Sequence, residues 1–398
     1  MRKNGINREL LPMTGGICAP DGFLTNGARC GFTDENKPDL AVIVAKKKCA
    51  TAFVGANYPC QGAPVKITRK HLSKTQHARA ILVNSGIANA FGENANGLCE
   101  SVCIELAKRL QCDKSEVVIA STGLLGEKLS LSTFLNGLDQ VVSGLDRLEK
   151  NRNLTARAIE NAAESVKEFA FSFQIGDYPC KIGGLYKGNT HVCPNMATTL
   201  CFLTTDVGIT PQMLQKALNA SVNETLNQLY LDGVASPNDC VCIMASGTAG
   251  NYRISEEDSE YKKFLYVLTS VLDTVCRTLT AEFANGKEKR PLICKVSGTK
   301  SKRAARLIAK EIVSSPLLKT SIDIDALLCA ICTAGEALDF NKAEISVCSS
   351  TGKLIVFLDG ERILPAASAW KKVFDGADLE ILVDFSAGNY SALAYACV

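Results

Sequence analysis

The sequence predicts a mixed α/β protein in two parts, on three observations. Short β-rich apolar runs closed by Gly, Asn or Lys alternate with longer segments whose apolar residues fall at helical spacing. The alternation restarts beyond Pro291. At 398 residues the chain also exceeds the size at which one hydrophobic core stops growing. Domains are therefore expected over residues 1–290 and 291–398.

In the first part, DLAVIVAKKKCATAFVG (39–55) and ARAILVNSG (78–86) read as strands. GLCESVCIELAKRLQC (97–112) is helical by its apolar spacing, and SEVVIASTGLLG (115–126) returns to strand before a glycine turn. Residues 152–170 read as a helix. GDYPCKIGGLYKGNTHVCPNM (176–196) reads as a glycine-rich loop delivering the chain into the strand TTLCFLTTDVGI (198–209). A helix over 210–229, the strand DCVCIMASG (239–247) and a long helix over 261–286 follow. The second part runs strand PLICKVSG, helix SKRAARLIAKEIVSS, helix DIDALLCAICTAG, strand AEISVCSS, hairpin TGKLIVFLDGERI, helix AASAWKKVFDG and a final strand LEILVDFSAG.

Composition narrows the function classes. Apolar residues at 46% and charged residues at 21% are those of a folded globular chain. The 44 basic and 41 acidic residues leave a net charge of +3, too balanced for a nucleic-acid or membrane-surface partner. The clusters KKK (46–48) and KEKR (287–290) read as solvated loops. No run approaches the ~18 apolar residues of a membrane span. The opening MRKNGINREL has no apolar stretch behind it, so no secretory signal is expected. The 18 cysteines then fit reduced thiols in the cytoplasm. Cys329 and Cys332 form one C-x-x-C, and Cys99 and Cys103 lie four apart on a helix. With no second pair at zinc spacing and only three histidines, these read as buried structural thiols, and no metal or cofactor is expected.

The chemistry centres on Thr198, between PNMA and an apolar run. A threonine there could be only a β-branched strand residue. It could also attack the preceding carbonyl, shift the chain from amide to ester and be released by water as an N-terminal threonine. Its α-amino group, of ordinary pKa about 8, would then sit beside its own hydroxyl as general base. Gly183, Gly184 and Gly188 in the approach could supply the backbone freedom a strained junction demands.

At these residues the chain resembles the ornithine acetyltransferase (glutamate N-acetyltransferase) family. PNMAT (194–198) is similar to the family's self-cleavage segment, YKG (186–188) to its lysine segment and ASTGLLG (120–126) to its oxyanion-hole loop. VNSGIANAFG (83–92), GGICAPDGF (15–23) and SSPLLKTSI (314–322) resemble further family segments in the same order, so the likeness covers nearly the whole chain. The resemblance implies a layered αββα domain of N-terminal-nucleophile type with a smaller C-terminal α/β domain. It implies cleavage between Ala197 and Thr198, Thr198 as nucleophile, an oxyanion hole from Thr122 and Gly123, and Lys187 as contact for a substrate carboxylate. Small amino-acid substrates and a heterotetramer of two cleaved chains are implied with it.

Several segments depart from the family pattern. Asn161, Ala162 and Ala163 stand in place of a Thr-Thr-Asp step, and Lys287 stands near the place of a substrate-binding glutamate. The Asn-Trp-Gly-Arg loop has no counterpart, nor does the family's Asp-Tyr-rich tail. His191, seven residues before Thr198, reads as a packed or solvated loop residue or an added acid or base. Three readings therefore stand. One is a self-processing enzyme moving acetyl from N-acetylornithine to glutamate by ping-pong. The second is a divergent relative with another acyl or amide substrate, and the third an uncleaved binding protein.

Overall fold

The computed structural model describes residues 10–33, 36–160, 166–188, 200–231, 233–285, 289–320 and 323–398. The chain gathers into two compact units. One takes in the described residues up to 188 with 200–221 and 235–270, the other Val222–Val234 and Val271–Val398. Through the end of the longest helix the elements are β1 (Leu11–Pro12), β2 (Phe23–Ala28), β3 (Leu40–Gly55), α1 (Ala63–Thr75), β4 (His77–Asn84), α2 (Ala95–Leu110), β5 (Val117–Ser121) and α3 (Leu131–Ser143). They continue as α4 (Glu149–Ile159), β6 (Val166–Ile175), β7 (Tyr178–Lys187), β8 (Leu200–Thr205), α5 (Pro211–Glu224), β9 (Leu229–Tyr230), β10 (Cys240–Ala245) and α6 (Ser259–Asn285).

In the first unit the strand order is β1-β6-β7-β8-β10-β3-β4-β5, with β2 also on β3. The 16-residue β3 serves two layers. Leu40–Val44 pair with β2 and β4, whereas Ala50–Gly55 pair with β10. Between them Lys46–Lys48 are exposed and the register with β4 shifts, so the sheet folds over at this point. The lysines expected in a solvated loop are thus solvated within a strand. Side chains then sort by the two-residue strand period. Ala41, Ile43, Ile81, Val83, Val118 and Ala120 share one core with Leu185, Leu200, Phe202, Cys242 and Met244 of the other layer. Val42, Val44, Leu82, Val117 and Ile119 face outward onto Val102 and Leu106 of α2 and Phe134 and Leu138 of α3.

Beyond the second layer, Leu203, Val241 and Ile243 are buried too, as are Leu214 and Leu218 of α5 and Phe264 and Leu268 of α6. Gln215 of α5 exchanges two hydrogen bonds with the Phe53 backbone of β3, at 3.0 and 3.1 Å. The order is helix, sheet, sheet, helix, the αββα arrangement expected.

Two expectations for this unit are corrected. The helix ends at Ile159, and Val166–Ile175 is β6, whose Phe169, Phe171 and Phe173 alternate at strand rather than helical period. The glycine-rich segment is not a loop over 178–187 but β7, antiparallel to both β6 and β8. Its glycines permit close backbone approach instead of a turn. A Cβ on Gly183 would stand 1.9 Å from the Gly16 carbonyl oxygen, and one on Gly184 2.6 Å from the Phe169 ring.

The second unit adds β11 (Pro291–Thr299), α7 (Lys302–Ser314), α8 (Pro316–Thr320), α9 (Ile324–Thr333), β12 (Glu344–Ser349), β13 (Gly352–Leu358), β14 (Glu361–Arg362), α10 (Ala367–Phe374), β15 (Leu379–Asp384) and β16 (Tyr390–Cys397). Its sheet runs β14-β13-β12-β15-β11-β16-β9. Ile308 and Ile312 of α7 and Leu327 and Ile331 of α9 share a core with Cys294, Val296, Ile381, Val383 and Ala394. The strand at 379–384 is not the last, because Tyr390–Cys397 inserts between β11 and β9. Helix α6 is long and apolar enough to cross a membrane by length and composition, but half of its apolar stretch is buried in the molecule. Its buried residues 264, 267, 268, 271, 272, 275 and 276 mark one face, as in a core helix.

Candidate active site

Strands β4 and β5 are adjacent, parallel and in register, with Asn84 opposite Ser121. The tripeptides that close them, Asn-Ser-Gly at 84–86 and Ser-Thr-Gly at 121–123, therefore run on side by side. Thr122 N–H donates to Asn84 O, Leu124 N–H to Gly86 O and Ala88 N–H to Leu124 O, each at 2.9 Å. Gly123 lies between them at φ +129°, where a Cβ would stand 2.1 Å from the Gly86 carbonyl carbon. Only glycine fits there. Because the N–H groups of 122 and 124 point at the neighbouring segment, that of 123 points away from it. Among the described residues no hydrogen bond takes the Gly123 N–H.

Lys187 ends β7, in the other layer. Its Nζ donates to Thr122 Oγ1 at 2.8 Å, and the two side chains are 2% and 9% exposed. An ammonium only donates, so Oγ1 is the acceptor and its own hydrogen is directed elsewhere. Donation from a buried cation also polarises the hydroxyl into a better donor. The result is a hydroxyl and a backbone N–H one residue apart, with a positive charge behind the hydroxyl. Such a pair can hold the oxygen of a tetrahedral intermediate.

The structure thus brings Thr122, Gly123 and Lys187 together. The remaining sequence candidates, Ala197, Thr198, His191, Asn161, Ala162 and Lys287, lie outside the described residues. Leu200, the first residue of β8, is opposite Lys187 in the antiparallel pair of β7 and β8.

Sequence reasoning missed the residues that hold these loops. Ser121 Oγ donates to Asn84 Oδ1 at 2.6 Å, and Asn84 Nδ2 donates to Ile87 O at 2.9 Å. Asn238 Nδ2 donates to Ala88 O at 2.5 Å. Behind them the fully buried Asp39 accepts from the N–H groups of Cys30, Gly31 and Phe32 at 2.6, 2.9 and 2.7 Å, and its carbonyl accepts from Ser85 N–H at 2.9 Å. One signal was present in the sequence: two neighbouring apolar runs each end in a polar pair and a glycine, NSG and STG.

Among the described residues no three His, Cys, Asp or Glu side chains gather as a metal site requires. Cys99 and Cys103 are buried on α2 as expected, and burial pushes the Cys99 thiol up to about 12. Cys329 and Cys332 are instead exposed on α9, because the apolar face of that helix is carried by Ile324, Leu327 and Ile331.

An αββα domain with a hydroxyl and a glycine N–H paired at the ends of two parallel strands is an arrangement suited to acyl transfer. Comparison with known proteins makes this particular. A family model described as the ArgJ family matches residues 24–398. The chain is 32% identical over 401 residues to the arginine biosynthesis bifunctional protein ArgJ of Bacillus licheniformis, covering 98% of this chain and 96% of that protein. It is 31% identical over 382 residues to ArgJ 1 of Clostridium acetobutylicum, covering 94% and 92%. Among solved structures, the ornithine acetyltransferase of Mycobacterium tuberculosis complexed with ornithine matches at 26% identity and TM-score 0.37, over 41% of this chain and 88% of that one. The chain belongs to the ArgJ family, as its resemblance indicated, and is an acyltransferase.

Proposed function

We propose that the protein is a self-processing acyltransferase that moves acetyl from N-acetylornithine to glutamate through acetyl-Thr198, in arginine biosynthesis in the cytoplasm. The observation that carries the reading is the buried Lys187–Thr122 hydrogen bond beside the outward Gly123 N–H. Chain length supports the nucleophile. Thr198 is two residues from Leu200, a reach of at most about 7 Å, and Leu200 is opposite Lys187 on a strand about 5 Å away.

In this mechanism Thr198 Oγ attacks the Ala197 carbonyl, the acyl group shifts from nitrogen to oxygen, and water cleaves the ester. The products are an Ala197 carboxylate and the free α-amine of Thr198. That amine then takes the Oγ proton as Oγ attacks the acetyl carbonyl. Thr122 O–H and Gly123 N–H receive the oxyanion, and Lys187 sharpens the hydroxyl while its charge attracts the substrate carboxylate. Collapse returns the proton to the departing ornithine amine. Glutamate's amine attacks acetyl-Thr198 in the second half, again through the oxyanion hole, to give N-acetylglutamate. The cleaved pieces are expected to assemble as a heterotetramer.

Denaturing mass spectrometry should find two fragments meeting at Ala197 and Thr198, and Thr198→Ala should remain one inactive chain. An exchange assay with N-acetylornithine and glutamate reads the substrate. A cleaved protein without exchange would favour a different acyl acceptor, consistent with Lys287 where the family carries a carboxylate; an intact wild-type chain would overturn self-processing.

A further inference from the structure

We propose that Asn84 is a positioning residue for the acyl-transfer site: it sets the direction of the Gly123 N–H by fastening the Gly123 loop to the segment 84–88. The proposal rests on the oxyanion-hole reading of Thr122 and Gly123. Asn84 is 1% exposed and touches neither Thr122 Oγ1 nor Lys187 in any hydrogen bond of the described residues, so it acts through the backbone.

Three of the bonds of this residue shape the two loops. Its carbonyl accepts Thr122 N–H at 2.9 Å, its Oδ1 accepts Ser121 Oγ–H at 2.6 Å, and its Nδ2 donates to Ile87 O at 2.9 Å. The first two fix the start of the oxyanion loop. The third curls the chain so that Gly86 comes to lie against Gly123, the contact in which a Cβ would stand 2.1 Å from the Gly86 carbonyl carbon. Asn238, through its bond to Ala88 O, holds the far end of the same segment. Gly86 is backed in turn by residues 32 and 33, since a Cβ on it would meet Thr33 Cγ2 at 2.6 Å and Phe32 O at 3.1 Å.

The Gly123 peptide is thus clamped between the N–H groups of 122 and 124. Free rotation of that peptide would turn the Gly123 N–H out of line. An oxyanion donor is effective only when aimed before the charge develops, so loosening the clamp should lower turnover more than substrate binding. The amide offers the acceptor for Ser121 and the donor for Ile87 on two separate atoms. Aspartate matches its shape but lacks the donor.

The test uses full-length Asn84→Asp and Ser121→Ala, each read two ways. Hydrogen exchange should quicken in peptides covering 121–126 while those covering Val117–Ala120 stay protected. In the exchange assay kcat should fall about tenfold to a hundredfold, by analogy with loss of one oxyanion donor, with KM within about twofold of wild type. Unchanged hydrogen exchange over 121–126 in both variants overturns the clamp. Quickened exchange with wild-type kcat overturns the positioning role. Thr122→Val is the control for the underlying reading. Full activity in that variant refutes the oxyanion hole itself, whatever the Asn84 variants do. When combined with Asn84→Asp, it should give less than the product of the two losses, because both act on one intermediate.

Discussion

Asp39 is fully buried, and its charge is spread over three backbone N–H groups within 2.6–2.9 Å. Those donors belong to the turn at Cys30–Phe32 that stands behind Gly86, so one carboxylate organises the floor beneath the segment 84–88. Asp39→Asn keeps the shape but turns an NH2 toward at least one of the three. A buried donor left without an acceptor costs about 1–3 kcal/mol, so the variant should lose about 2 kcal/mol in urea unfolding. A wild-type midpoint with unchanged slope would show that the turn is held by other contacts. Lys187 illustrates the limit of reading residues singly. The resemblance implies a substrate carboxylate as its partner, and only the fold reveals that its Nζ donates to a threonine 65 positions away in sequence.

At the scale of elements, β7 delivers Lys187 and owes its position to two glycines. Gly183→Ala would put a Cβ 1.9 Å from the Gly16 carbonyl oxygen, a backbone atom that cannot swing aside. Overpacking of this kind costs about 1–3 kcal/mol. Thermal unfolding should report that loss, and kcat should fall further than the melt alone explains, since Lys187 moves with the strand. A variant as stable and active as wild type would mean that β7 tolerates separation from residue 16. The same strand marks where the sequence was hard to read. Runs such as LAVIVA and VVIAS are short, β-rich and closed by Lys or Gly, and the strands they predict are present. KIGGLYK has glycines for which turn and tight contact are indistinguishable without the partner, and the partner of Gly183 lies more than 160 residues upstream at Gly16. The site was half legible for a related reason. STG and PNMAT resemble known segments, whereas the bonds of Asn84 and Asn238 are made only by folding.

For the whole molecule, burial governs the thiols. Cys18, Cys49 and Cys201 are each pushed up to about 12, chiefly by desolvation, while Cys60, Cys329 and Cys332 are exposed. A thiol whose folded pKa exceeds its unfolded value of 9.0 binds its proton more tightly in the folded chain. Stability from this source is complete below pH 9 and is lost as pH climbs from 9 toward 12. Peptide mapping after a short alkylating pulse at pH 8 should find Cys60, Cys329 and Cys332 modified ahead of the three buried thiols, and denaturant midpoints should decline above pH 9. Early modification of Cys49, which lies in the core between the two sheet layers, would reveal that the layers part readily. The strand order carries a further consequence. β8 and β10 come from downstream of residue 197, yet they lie between β7 on one side and β3 on the other, both from upstream. A chain severed between Lys187 and Leu200 would thus be two interlocked halves of one sheet, inseparable without melting it. In such a chain scission would follow folding, since each half leaves the other's strands without their neighbours in the sheet.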